Sequence, residues 1–187
     1  MAVDTTKIRA YVNGLVAVSG YGVTNPTLPT DATTTLNASV FKEVGALSDD
    51  GTVASSSQEF NNIYMWQNNA LAAALPGQYD RKFTFTCLEQ NSQTLNIAFG
   101  GSTLTQQAWG VSIAEKAPGR DIRAWVLHGI DGTRLWRIVV PQGQITSKGD
   151  VTWASTDVAG MEVEVTAFPD ASNNYAYHYI YDSTLTL

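Results

Sequence analysis

The sequence has few of the residues from which cross-links and chemical sites are built. Cys87 is the only cysteine, and His128 and His178 are the only histidines. An intrachain disulfide is therefore excluded, and a His/Cys metal cluster has no ligand set at suitable spacing. Only 15% of the residues are charged, and Thr, Ser, Asn, Gln and Gly fill many polar positions. Such a surface loses few strongly hydrated charges when it is buried, which suits a subunit of an assembly.

Basic clusters are also missing. The chain has 11 Lys and Arg against 17 Asp and Glu, and its formal net charge is −6. The longest basic run is Arg81-Lys82. Because phosphate binding depends on clustered Lys and Arg, we expect no specific nucleic-acid binding and repulsion of any DNA that comes close.

Long apolar runs are absent as well, so the sequence predicts no membrane-spanning segment. The first residues, Met1-Ala2-Val3-Asp4, lack the basic region and apolar core of a secretory signal. Together with the single cysteine, these features lead us to expect synthesis in the cytoplasm.

The sequence offers no catalytic constellation. It contains no Gly-x-Ser-x-Gly motif, and Gly100-Gly101 follows a predicted helix, whereas a phosphate-binding loop precedes one. Asp49-Asp50 is typical of a turn, and Glu162 and Glu164 are typical of a solvated strand face. We therefore predict no catalytic, cofactor-binding or metal-binding residue.

Period-two alternation of apolar and polar residues is the dominant pattern and predicts a mostly β fold with half-buried strands. Asp131-Gly132 separates two such runs, from Ile122 and from Arg134, and predicts a type I′ hairpin. Asn91 or Ser92 begins one short helix that Gly100 ends, and a second is possible at Ala70–Leu75, before Pro76-Gly77. Further strands are predicted at Tyr11–Ser19, Phe41–Leu47, Glu59–Trp66, Lys82–Glu89, Ala108–Ala114, Gln144–Lys148, Met161–Phe168 and Tyr175–Tyr181.

Two polar segments are too long for compact connections. Gly22–Ser39 is rich in Thr, Asn, Pro, Ala and Ser, and a second stretch around Asp49-Asp50-Gly51 is Ser-rich. Long loops of this kind are functional or mobile. Either these are two flexible loops, or they are an arm and a loop that become ordered on a neighbouring subunit.

The order of several short motifs adds a family resemblance. The motifs are Gly14–Val18, Pro26-Thr27-Leu28-Pro29, Phe41–Gly51, Trp66-Gln67, Arg137–Pro141, Gly149-Asp150-Val151-Thr152 and Val163–Asp170. In this order and spacing the chain resembles the major tail tube proteins of long-tailed (siphovirus-type) bacteriophages.

The resemblance implies one tail tube domain over residues 1–187, a β-sandwich or barrel with one short flanking helix. It also implies hexameric rings that stack into a tube, other tail proteins (tape measure, tail terminator, distal tail) as partners, and genome passage through the lumen. Residues 22–39 would then be an extended inter-subunit arm and residues 48–79 a long loop containing a strand. The candidate assembly contacts are Pro26, Pro29, Asp49, Asp50, Tyr64 and Trp66, and the candidate lumen residues are Glu162 and Glu164.

Two other functions remain open at this point. Five tryptophans and eight tyrosines are compatible with a carbohydrate-binding β-sandwich, although we expect most of them in the core or in subunit contacts. A related tail or injection-machine component, such as a tail terminator, is the other alternative.

Overall fold

The computed structural model describes residues 4–23, 25–156 and 158–185, and within them the chain is mostly β with one short α-helix, as predicted. Short 3-10 turns lie at Thr5–Lys7 and Gln67–Asn69. No described helix is long and apolar enough to cross a bilayer. The elements are β1 (Asn13–Ser19), β2 (Phe41–Glu43), β3 (Leu47–Tyr64), β4 (Leu71–Cys87), α1 (Ser92–Ala98), β5 (Thr103–Gln107), β6 (Gly110–Ala114), β7 (Ile122–Asp131), β8 (Arg134–Lys148), β9 (Met161–Phe168) and β10 (Tyr177–Tyr181).

Eight strands form one antiparallel sheet in the order β2-β1-β7-β8-β9-β4-β3, and β5 and β6 form a separate hairpin. The long strand β8 has two partners on one side: β10 pairs with Leu135–Val139, and β9 pairs with Gln142–Lys148. The sheet thereby divides at β8 and folds around a core. Strand β8 runs continuously through Pro141, where the sequence predicted two separate strands.

The main core lies between the two halves of this sheet. Val16 and Val18 of β1 and Trp125 of β7 share one buried cluster with Phe83 and Phe85 of β4. A second cluster lies on the other face of β1, β7 and β8 and includes Ala124 and Val126. Strand β7 is therefore buried on both faces, and the prediction of a half-buried strand there is wrong, because both faces carry covering layers.

Helix α1 begins where the sequence predicted. The Asn91 side chain accepts the N–H groups of Gln93 at 2.8 Å and Thr94 at 3.0 Å, and the Thr94 hydroxyl accepts the Asn91 N–H at 2.8 Å. This is a capping box, which satisfies the free donors of the first turn. At the other end the positive φ belongs to Gly101 (84°), one residue beyond the predicted Gly100.

Residues 48–79, predicted as a long loop containing one strand, instead form most of two long paired strands, β3 and β4. The predicted helix at Ala70–Leu75 is wrong for the same reason, because Leu71 to Leu75 pair with β3 in extended conformation. The backbone hydrogen bonds of this hairpin are made across the strands, which overrides the helical preference of the alanines.

Four smaller features differ from the predictions. Strand β5 has no predicted counterpart, and β6 begins at Gly110 rather than Ala108. Predicted strand Phe41–Leu47 ends at Glu43, two residues before Gly45, whose φ is 87°. The predicted Asp131-Gly132 hairpin is present, but Asp131 pairs with Arg134, so the turn residues are Gly132 and Thr133.

Candidate assembly surfaces and lumen face

The outer half of the β3–β4 hairpin projects beyond the sheet. Strand β9 pairs only with Arg81–Cys87 of β4, so the part of β4 from Leu71 to Asp80 pairs with β3 alone, although the Tyr79 ring also packs against Tyr175. No charged residue lies between Glu59 and Asp80. A large uncharged surface exposed on both faces is typical of a protein contact. Its exposed apolar side chains are Phe60, Ile63, Tyr64, Met65, Trp66, Leu71, Leu75 and Tyr79.

Tyr64 and Trp66, both predicted contact residues, lie at the tip of this hairpin. The Tyr64 side chain is 55% exposed and that of Trp66 is 98% exposed. The tip is closed by the Met65 N–H, which donates to the Ala70 carbonyl at 2.8 Å. The tip is therefore closed by the backbone, and both aromatic rings remain candidates for a contact with another molecule.

Asp49 and Asp50 lie in a bulge near the start of β3. Leu47 pairs with Cys87 and Thr52 with Phe85, so the intervening residues bulge out, with Gly51 at a φ of 68°. Both carboxylates are exposed at the rim of an open cleft of about 750 Å³ between β3 and the β1–β7 pair. The predicted acidic turn is thus a bulge within a strand, and its role as a contact stays a prediction.

Pro26 and Pro29 belong to a segment that crosses the chain's own sheet. Over the described residues 22, 23 and 25–39 this segment contains no helix or strand. Leu28 and Leu36 pack against the second buried cluster, and both prolines are half-buried. Their predicted contact with a neighbouring subunit stays a prediction.

Buried Arg137 holds this segment in place. Its Nη1 donates to the carbonyls of Asp31 at 2.9 Å and Thr34 at 2.8 Å, and its Nε donates to Nδ1 of His128 at 3.1 Å. Burial, together with the charge of Arg137, lowers the pKa of His128. His128 is thus a packed acceptor on a strand face, whereas His178 on β10 is exposed.

Glu162 and Glu164, the predicted lumen residues, share the polar face of β9. On the opposite face Met161, Val163 and Val165 are buried in the core. The polar face continues onto neighbouring strands through a row of hydroxyl and charged side chains: Lys82, Thr84 and Thr86 on β4, Thr146 on β8 and Thr166 on β9.

The two glutamates have different surroundings. The Lys82 ammonium lies 3.0 Å from Oε1 of Glu164, and the Thr146 hydroxyl donates to the same oxygen at 3.1 Å. The hydrogen bond from Lys82 is the main reason why the pKa of Glu164 is lowered. The carboxylate of Glu162 is in no ion pair among the described residues. The acidic character of this face therefore depends mainly on Glu162.

Two features of the candidate assembly surfaces go beyond the sequence predictions: the free edge of β8 and the pairing of β6 with β5. Strand β8 extends beyond the start of β7, because the β7–β8 pairing ends at Ile122 and Gln144, so Ile145–Lys148 has no strand partner on that side among the described residues. The second feature is the β5–β6 hairpin, which carries Trp109 at its tip with 76% of the side chain exposed. The sequence predicted neither the exposure of Trp109 nor the free edge of β8, which depends on the register between β8 and β7.

The tryptophans are divided between the core and the surface of the isolated chain. Trp125 alone is fully buried in the core, where its Nε1–H donates to the Gly143 carbonyl at 3.2 Å. Trp66, Trp109 and Trp153 are each at least 76% exposed, and they lie on three separate elements. No described strand presents them as one row.

Other groups with reactive chemistry are buried or scattered. Burial raises the pKa of the Cys87 thiol to about 11, which keeps the group protonated at neutral pH. Among the described residues no three His, Cys, Asp or Glu side chains are grouped closely enough to hold a metal ion.

Comparisons with known proteins place this geometry in a family. A family model described as phage tail tube protein matches residues 1–186. No curated protein sequence matches significantly. One similar solved structure is the sheath/tube terminator of the PVC extracellular contractile injection system, with a TM-score of 0.49, 14% identity, 95% of this chain covered and 99% of that chain.

Two other solved structures are similar at the same level. The anti-feeding prophage baseplate has a TM-score of 0.47 and 10% identity over 99% of this chain and 100% of that chain. The PVC sheath–tube complex has a TM-score of 0.44 and 11% identity over 95% of this chain and 98% of that chain. Because the family model extends over nearly the whole chain, the protein belongs to the phage tail tube protein family and is a structural component of the virion tail.

Proposed function

We propose that copies of this chain close into hexameric rings, and that the rings stack into the hollow tail tube of a siphovirus-type phage. The tube is the conduit through which the genome enters the bacterial host. The protein is made in the host cytoplasm and works by shape and charge, without catalysis or a cofactor. Its other partners in the virion are the tape measure, tail terminator and distal tail proteins.

The observation that carries this proposal is a four-stranded sheet with free edges on both sides. In the order β8-β9-β4-β3, each strand is antiparallel to the next. Strand β3 has no partner beyond β4, and Ile145–Lys148 of β8 has none beyond β9 among the described residues. Because the number of strands is even, β3 of one copy meets β8 of the next in antiparallel orientation. Exposed edges favour such pairing, and head-to-tail contacts of this kind close into rings.

In such a ring the polar face of the four strands lines the lumen. The core lies on the other face, so the side chains that meet the genome are those of Lys82, Glu162, Glu164 and the threonines between them. Excess carboxylates repel phosphate over about 8–10 Å at physiological salt. The genome then passes without specific binding.

The uncharged half of the β3–β4 hairpin supplies the contact between rings. It exposes Tyr64 and Trp66 at its tip, and buried aromatic side chains contribute strongly to contacts between proteins. Pro26 and Pro29, on the segment crossing the outer face, and the Asp49-Asp50 bulge are further candidates for this contact.

Adjacent proline substitutions test the pairing of edges. In an antiparallel strand successive N–H groups point to opposite sides, so of Ser55 and Ser56 one donates toward β4 and the other toward the free edge. Ser55→Pro and Ser56→Pro therefore form a matched pair. We expect one variant to lower the melting temperature of the monomer, and the other to leave it unchanged while abolishing tubes in negative-stain electron microscopy. If both variants formed tubes at the wild-type concentration, pairing through β3 would be excluded.

A further inference from the structure

The β5–β6 hairpin stands apart from the rest of the fold. It pairs with no other strand of the described residues, and no charged residue lies between Glu89 and Glu115. An isolated two-stranded hairpin is marginally stable in water. This hairpin exposes Trp109 and, beside it, Val111 at 37%. Such a hairpin gains order when a second surface covers it.

The base of the hairpin lies beside the free edge of β8. Gly100, Pro118 and Gly119 line one side of a cleft of about 300 Å³, and Gln144–Lys148 lines the other. The Ser102 hydroxyl accepts the Lys116 N–H at 3.0 Å and joins the two ends of the hairpin. A strand that pairs with Ile145–Lys148 therefore enters this cleft and passes the base of the hairpin.

We infer that the β5–β6 hairpin docks on strand β3 of a second copy of this chain, where that strand pairs with β8. The inference rests on the proposed function, because it takes the neighbouring copy's β3 as the strand at this edge. Helix α1, which precedes the hairpin, packs Ile97 into the core. The hairpin thus leaves the fold on the core side of the sheet, away from the lumen face.

The chemistry of β3 fits this position. Ala54 pairs with Phe83, whose side chain lies in the core cluster, so Ala54 and Ser56 face the core side of the sheet. Both are small and uncharged, which allows a second layer to approach closely. In this position the hairpin covers the pair formed by β8 and the neighbouring copy's β3. Trp109 and Val111 then lose their contact with water, which favours association.

Hydrogen–deuterium exchange on the wild-type protein separates the two proposals. We compare monomer and assembled tubes, and expect slower exchange in the tube for both β3 and residues 103–114. Protection of β3 without protection of residues 103–114 would overturn the docking of the hairpin and leave ring closure standing. Tubes without protection of β3 would overturn ring closure itself.

A substitution pair gives a second measurement. Trp109→Ser combined with Val111→Ser removes the exposed apolar surface of the hairpin, so the melting temperature of the monomer stays near the wild-type value. The concentration needed for tube formation rises about tenfold or more, the loss expected for a buried aromatic contact. Trp153→Ser is the control, because it removes an indole that is 88% exposed but lies outside the hairpin, on the connection between β8 and β9. Tube formation by the double variant at the wild-type concentration would contradict the inference.

Discussion

Glu89 and Gly45 meet where the chain passes from one half of the sheet to the other. The Glu89 carboxylate accepts the Ala46 N–H at 3.1 Å, and Asn91 Nδ2 donates to Glu89 Oε1 at 3.2 Å and to the Val44 carbonyl at 2.9 Å. Gly45 has a φ of 87°, and a Cβ at this position would lie 2.2 Å from Glu89 Oε2. The start of α1 is thereby joined to the link between β2 and β3.

Gly45→Ala is expected to destabilise the fold strongly. The positive φ alone costs an L-residue about 1–2 kcal/mol, and displacement of the Glu89 side chain also disrupts its hydrogen bonds with Ala46 and Asn91. We expect a loss in the free energy of unfolding that exceeds the cost of the positive φ alone, measured by urea denaturation. Gly51→Ala is the matched control, because its φ is 68° but nothing lies within 4 Å of the new Cβ. An equal loss in both variants would show that the contact with Glu89 contributes nothing.

Asn91→Ala tests the cap of α1. The substitution leaves the N–H groups of Gln93 and Thr94 without their acceptor, and a lost cap costs about 1 kcal/mol. The Val44 carbonyl loses its donor as well, so we expect more than this in the free energy of unfolding. Asn91→Asp keeps the acceptor oxygen for the helix but cannot donate to Val44 or to Glu89. Asp is therefore expected to recover only part of the loss, and full recovery would contradict the role of the Nδ2 group.

Mild acid should weaken the fold through His128. Its folded pKa is below the ordinary value of 6.5 because burial and Arg137 disfavour the charged ring. As the pH falls, His128 therefore takes up a proton in the unfolded chain before it does so in the folded chain. The contribution of the neutral His128 ring to stability is complete above pH 6.5 and is lost as the pH drops below that value. His128→Gln retains an acceptor for Arg137 and removes this dependence.

The measurement compares urea denaturation at pH 7.5 and pH 5. Partial burial of the His178 ring, followed by the charge of Arg81, also lowers the pKa of His178, so both proteins carry His178→Gln. We expect the loss of stability between the two pH values to be smaller in the variant with Gln at position 128. An identical loss of stability in the two proteins would show that protonation of carboxylates, and not of His128, causes the acid sensitivity.

The sequence predicts those elements whose residues alternate between a dry face and a wet face. Met161–Phe168 has this pattern and forms β9 with the predicted bounds. The hairpin arms around Ser55-Ser56-Ser57 lack it, because neither face is buried in the isolated chain. Period-two signals arise from burial of one face, so a strand that is exposed on both faces has none.

The free edge of β8 was beyond sequence reasoning for another reason. It exists because β7 begins at Ile122, opposite Gln144, and that register depends on the whole sheet. The candidate lumen residues lie between these cases. The alternation in β9 placed Glu162 and Glu164 on one face, but Lys82, which pairs with Glu164, lies 82 residues earlier in the chain.

The inequality of these two glutamates leads to the last prediction. In the proposed tube, Glu162 contributes an uncompensated negative charge, whereas Lys82 offsets that of Glu164. Replacing both with Lys leaves the tube intact but slows DNA ejection, because the wall then attracts phosphate. Glu162→Lys alone should slow ejection less than the double variant does, because it leaves Lys82 paired with Glu164.

Glu164→Gln is the informative companion variant. It removes one carboxylate but frees the Lys82 ammonium, so it makes the lumen face less negative by one charge per copy, as Glu162→Gln does. If the total charge of the lumen face sets the rate, DNA ejection would therefore be slowed equally in Glu164→Gln and Glu162→Gln. A delay caused by accessible cations would be greater for Glu164→Gln, since the freed ammonium is able to contact phosphate. We expect the second result in DNA-release measurements on phage carrying each variant, with Lys82→Met restoring the rate of Glu164→Gln. Wild-type ejection by the double Lys variant would remove both glutamates from the lumen.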